Sequence, residues 1–156
     1  MTGSAGRDQP VDGPTAVRII VGAQLRQLRE ERGLTRAEAG EAIRSSESKL
    51  SRMELGRVGF KLRDVKDLLT LYGVDDEAER EAVLARVRVA NEPGWWQPYN
   101  DVTPNWFQRY LGLEATASLI RTYEVAFVPG LLQTEEYARA VMRLSHGTSK
   151  LDEVER

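Results

Sequence analysis

Few residues in this chain are able to do chemistry, and their types narrow what that chemistry is. There is no cysteine, and one histidine, His146. Disulfides and thiolate metal sites are therefore excluded, and the composition suits a reducing, cytoplasmic setting. Nucleophile–base pairs and metal cages lack raw material. Carboxylates are plentiful, but none is paired with a plausible base or ligand set. No catalytic residue, cofactor or metal is expected, so the chain does not read as an enzyme. His146 reads as an exposed helix-end residue. What remains is hydrogen bonding and charge, gathered in "SSESKLSRMELGR", residues 45–57. On the outer face of a short helix these side chains suit a nucleic-acid groove. The competing reading is an ordinary surface helix, which a net charge of −2 favours.

The net charge hides a gradient. Residues 18–66 carry 12 Lys and Arg against 7 Asp and Glu, whereas residues 67–92 carry 3 against 7. The basic excess coincides with the 45–57 stretch, and a polyanion would feel that local field. No run of about 18 apolar residues occurs, so no membrane partner is expected. Residues 1–14, rich in Gly, Pro and polar types, read as a disordered lead-in and not as a signal peptide.

The elements that must hold the stretch are helical. Val21, Leu25 and Leu28 recur at helical spacing in a first helix over about 15–31, which Gly33 stops. Thr35 and Glu38 form a T-x-x-E capping box that opens a second helix. Ala39, Ala42 and Ile43 are its expected apolar face. Gly40 costs about 1 kcal/mol against Ala in a helix interior, and close helix–helix approach is the compensation expected. Ser46 is the expected N-cap of a third helix over 46–56, with Leu50 and Met53 inward and Gly56 ending it. A fourth helix spans about 61–72, with Leu62, Val65, Leu68, Leu69 and Tyr72 on one side. Asp75 or Asp76 caps a fifth, ending near Asn91. Helices joined this tightly make a compact bundle.

Composition shifts after residue 92. Nine of the 11 aromatic residues lie between Trp95 and Tyr137. "NEPGWWQPYNDVTP" reads as a linker and the domain boundary. Thr103 as N-cap, followed by Pro104 at the first helical position, starts a helix bearing Trp106, Phe107, Tyr110 and Leu111. "SLIRTYEVAFV" reads as a strand. Pro129-Gly130 turns the chain, and Thr134 caps a last helix with Tyr137, Val141 and Met142. The fold class expected is mainly α: a five-helix bundle over 15–92, then a partial α+β domain over 93–156.

"LRQLREERGLTRAEAGEAIRSSESKLSRMELGR" closely resembles the Xre/Cro-type helix-turn-helix, over about residues 17–74. The resemblance rests on the L-R-x-L-R-x-x-x-G-L-T opening, the capping box, Gly40, and S-x-x-x-L-S-R-M-E-x-G-R. It implies a DNA-binding module in which the third helix enters the major groove. Ser46 would cap that helix, Glu47, Ser48 and Arg52 would face base edges, and Lys49, Ser51 and Arg57 would lie nearer phosphates. Arg36 would also meet the backbone. Arg can fork onto guanine and a carboxylate can accept from the cytosine amino group. Helix N-termini and cations hold phosphates. Glu47 also suits the helix macrodipole without any DNA. The resemblance pairs Arg29 with Glu54 as a structural ion pair between the first and third helices. One departure is Arg44, where the family usually has Gly. That residue must adopt a left-handed conformation or continue the helix.

The following half resembles the domain of unknown function found after the helix-turn-helix in WhiJ-related actinobacterial, antitoxin-like transcriptional regulators. The Trp-Trp pair, the D-x-x-P-x-W-F helix, "ASLIRTYE" and "VPGLLQTEEYARA" carry this resemblance. That domain is usually longer, so Trp106, Phe107 and Val125 are expected to be exposed. The aromatic cluster reads as packing or as a ligand or partner pocket. The function implied is a DNA-binding transcription regulator acting on double-stranded DNA as a homodimer. The alternative is an antitoxin-like module that neutralises a small companion protein through the aromatic half.

Overall fold

The computed structural model describes residues 13–101 and 103–146, with the side chains of 145 and 146 outside that description. The lead-in expected over 1–14 falls almost wholly outside these residues, as does the side chain of His146. The described residues form seven α-helices: α1 (Pro14–Glu31), α2 (Arg36–Ala42), α3 (Glu47–Glu54), α4 (Leu62–Leu71), α5 (Glu77–Ala90), α6 (Asn105–Glu114) and α7 (Glu135–His146). The chain divides into two compact units, Met1–Ser118 and Leu119–Arg156.

The first five helices close around one apolar core. Val21 and Leu25 of α1, Leu50 and Met53 of α3, Val65, Leu68 and Leu69 of α4, and Val83 and Val87 of α5 are buried in it. These are the helical-period positions of the sequence, and their burial drives the packing. In α2, Ala39 and the flanking Ile43 are buried but Ala42 is exposed, so its apolar face is narrower than expected. Leu62 at the start of α4 is likewise partly outside, at 38% exposure.

Local signals set the ends. Thr35 Oγ1 accepts from the Glu38 N–H at 3.2 Å and Glu38 Oε2 accepts from the Thr35 N–H at 2.7 Å, completing the capping box. Ser46 Oγ accepts from the Lys49 N–H at 3.2 Å, and Asp76, not Asp75, caps α5. Gly40 is buried, and a Cβ there would lie 3.0 Å from the Ser45 carbonyl oxygen and 3.4 Å from the Glu47 nitrogen. The close approach is therefore to the backbone of the turn that launches α3, not to α3 side chains. Arg44 in that turn has φ +54°, the left-handed option of the two its sequence left open.

The later residues depart further. Pro104, not Thr103, takes the N-cap of α6, with no side-chain cap. No strand occurs among the described residues, and 119–128 run as irregular chain with a bend at 125–127. The α+β expectation for this region is thus replaced by helix and irregular chain. Backbone N–H and C=O groups of a strand need a partner strand, and the sequence offers no second one to pair with. Pro129 precedes a 3₁₀ turn at Gly130–Leu132, and the Tyr137 N–H donates to Thr134 Oγ1 at 3.3 Å, opening α7.

Candidate nucleic-acid interface

The interface is built on α3 and held from behind by an ion-pair network. Glu54 is buried at the end of α3, where Arg29 Nε donates to its Oε1 at 2.5 Å and Nη2 to its Oε2 at 3.2 Å. Arg29 Nη1 also donates to the Leu34 carbonyl at 2.6 Å, so one guanidinium ties α1, the turn before α2, and α3. The hydrogen bond to Glu54 raises the Arg29 pKa above its ordinary value, against the lowering effect of burial. Arg36 Nε donates to Glu54 Oε2 at 3.0 Å. Two cations thus converge on one buried carboxylate, which makes the pairing two-sided and well hydrogen-bonded.

Close backbone packing sets the position of this network. Gly22 of α1 is buried, and a Cβ there would lie 2.6 Å from the Met53 carbonyl oxygen and 2.7 Å from that of Glu54. Those neighbours are backbone and cannot swing aside, so α1 needs a glycine where the end of α3 crosses it. The apolar periodicity of α1 gave no signal for this, because Gly22 belongs to neither its apolar nor its polar pattern.

The structure redistributes the cations of the basic block. Lys49 Nζ reaches the buried Asp64 Oδ2 at 3.1 Å, tying α3 to α4. Arg36 is engaged by Glu54, as above. Arg32 donates to the carbonyls of Tyr72 at 2.5 Å and Gly73 at 3.0 Å, closing the end of α4. Arg18 donates twice to the Ala90 carbonyl at the end of α5. These links join residues far apart in sequence, so no local pattern announces them.

Of the residues expected at the interface, Glu47, Ser48 and Arg52 are exposed along α3, and Ser51 is half-buried. Arg52 Nε makes only a 3.4 Å contact with the Ser48 carbonyl one turn back. Ser46 is exposed but commits its oxygen to the cap. Arg57, just past α3, is exposed and has no side-chain acceptor among the described residues. Arg44 before α3 and Lys61 at the start of α4 are exposed and equally uncommitted. Neither was expected at the interface from the sequence, where Arg44 stood out only as a turn residue; the signal that finds them is subtraction of the cations consumed inside the fold.

The surface that results has acceptor and donor side chains on a capped eight-residue helix, flanked by uncommitted cations. It can hydrogen-bond to base edges and attract phosphates. No helix among the described residues is long and apolar enough to cross a membrane. Comparison with known proteins fits the geometry. Residues 20–83 match the family described as helix-turn-helix domain, and residues 107–156 match a domain of unknown function, DUF5753. The chain therefore carries a helix-turn-helix domain followed by an uncharacterised domain. No curated protein and no solved structure matches it.

Proposed function

We propose that the chain is a sequence-specific, DNA-binding transcription regulator of the Xre/Cro type, with α3 reading the major groove. The observation that carries this is the division of labour on α3: Leu50, Met53 and Glu54 are buried, while Glu47, Ser48 and Arg52 stand outward. Arg52 and Glu47 supply base-edge chemistry, Arg57 and Lys61 supply phosphate contacts, and Arg36 and Lys49 act first as braces of the fold. Two copies on half-sites about one helical turn apart are the assembly this module favours. The test is fluorescence anisotropy of the full chain with a duplex selected from a random pool, against a scrambled duplex. The expected result is tighter binding to the selected duplex and a steep salt dependence. Arg52→Ala should relax specificity at one position, by about 1–3 kcal/mol, and Arg57→Ala should weaken both duplexes alike and flatten the salt slope by about one. Binding that is flat in salt and unmoved by both changes would overturn the reading.

A second reading is an antitoxin-like module that grips a small companion protein through the aromatic-rich half. It is favoured by the apolar side chains that region leaves in solvent, including Tyr123 at 90% and Val125 at 83% exposure. Both readings can hold for one chain, because they use different surfaces.

A further inference from the structure

A cleft of about 520 Å³ lies within the first unit, beside the end of α3. Thr15 and Arg18 of α1, Arg57 after α3, Trp96, and Trp106 and Arg109 of α6 line it. Its volume is in the range of small-molecule sites, roughly 300–1,000 Å³. Its lining holds three arginines and no Asp or Glu. Arg57 and Arg109 have no side-chain acceptor among the described residues. Arg18 is anchored, its Nε and Nη2 donating to the Ala90 carbonyl at 3.1 and 2.7 Å, and no carboxylate pairs with it. Burial lowers its pKa from the ordinary value, the sign of a charge losing water without gaining a counter-ion.

The wall formed by α6 is set by a close approach. Gly112 is buried, and a Cβ there would collide with the Thr15 side chain and lie 2.8 Å from the Trp96 ring. Glycine at this point lets α6 lie against α1 and brings Trp106 and Arg109 to the cleft that Arg57 also lines. Trp106 is 73% exposed, so its ring is open to a visitor.

We infer that this cleft binds a small planar aromatic anion, its ring against Trp106 and its anionic group among Arg18, Arg57 and Arg109. Aromatic faces recruit rings, guanidinium groups recruit carboxylate or phosphoryl oxygens, and the two lie in one cavity. A bare phosphate, including one of a DNA backbone, uses the arginines but leaves the tryptophans without a role. Since the DNA reading assigns Arg57 to phosphate contact, occupancy would also weaken DNA binding. That consequence rests on the DNA reading; the binding itself does not.

The experiment is titration calorimetry of the full chain with 2-naphthoate, 2-naphthamide and inorganic phosphate, repeated on Arg109→Ala and Trp106→Ala. Both substitutions are at exposed positions, and an unchanged thermal melt shows that the variants are folded. Saturable 2-naphthoate binding at one per chain is expected, with the amide and phosphate each at least about tenfold weaker. Each variant should lose about tenfold for 2-naphthoate. No 2-naphthoate binding, an equally tight amide or equally tight phosphate would overturn the proposal, as would binding unaffected by both substitutions. The failure of the DNA reading is seen separately, as salt-insensitive duplex binding with 2-naphthoate binding intact.

Discussion

The five-helix bundle and the aromatic-rich stretch after it spend apolar surface in opposite ways. The bundle buries nearly every large apolar side chain at its helical-period positions, down to Leu50, Leu68 and Leu69 at no exposure. The later stretch has most of the aromatic residues, yet Trp95, Trp106, Tyr123 and Phe127 stay more than half exposed. Aromatic content by itself therefore says little about where a core is. What closes a core is matched periodicity on facing elements, which α1, α3, α4 and α5 share and residues 119–132 lack. The bundle closes its apolar surface into a core, and the later stretch leaves much of its own in solvent.

The sharpest way to break that contrast is at the brace of the bundle. Glu54→Ala leaves the buried Arg29 without its carboxylate and frees Arg36 as well. Removing one partner of a buried pair costs about 3–5 kcal/mol, so the thermal melt should fall by many degrees. Loss of DNA binding should follow only from unfolding. A Glu54→Ala chain that melts within about 2 °C of the parent would show that the network adds nothing to the fold. Acid gives a gentler probe of the same half. The backbone N–H of Thr35 holds the Glu38 carboxyl below its ordinary range. A depressed carboxyl contributes stability above its unfolded pKa and loses it as pH falls through the folded value. The capping box should thus weaken only on acidification below the usual carboxylate range.

The next effect is smaller and of opposite sign. Arg44 holds φ +54°, where a side chain with a Cβ is strained and glycine is not. Arg44→Gly should raise the urea midpoint by about 1 kcal/mol of stability with an unchanged slope, while Arg44→Ala, which keeps the strain, should not. A midpoint equal in Arg44→Gly and Arg44→Ala would mean that the turn is not strained.

How much of this was legible in the sequence follows from the range of each interaction. The helix ends were readable because Thr35, Glu38, Ser46 and Asp76 act within three residues of themselves. The core was readable because its period repeats along each helix. Arg44 was readable as an anomaly, since glycine is the ordinary residue at that turn. The pairing of Arg29 with Glu54 came only by resemblance, and the second cation on that carboxylate, Arg36, did not come at all. Lys49 on Asp64, and Arg18 and Arg32 on helix-end carbonyls, join residues 15 to 72 positions apart. No local spacing encodes such links. The stretch "SLIRTYEVAFV" misled for a different reason. Its β-branched and aromatic residues fit a half-buried pleated surface, but that preference is realised only against neighbouring strands. Among the described residues its backbone is tied only at its last residue and only to side chains: the Val128 N–H donates to the Tyr137 hydroxyl at 3.1 Å, and the Val128 carbonyl accepts from Gln133 Nε2 at 2.7 Å.

The smallest expected effect tests the contrast most directly. Trp106 is the largest kind of side chain, and in a core its truncation would cost about 3–5 kcal/mol. At 73% exposure it has little buried area to lose, although its ring packs edge-on against Phe107 with centroids 5.4 Å apart. Trp106→Ala should therefore change stability by no more than about 0.5 kcal/mol, the range of ordinary surface changes. Leu50→Ala, a smaller truncation at a fully buried position, should cost about 2–5 kcal/mol. The two measured side by side in urea decide whether burial or size governs. If Trp106→Ala proved as costly as Leu50→Ala, the later stretch would be packing in solution as a core does, and the distinction between a rigid bundle and an open aromatic surface would fall.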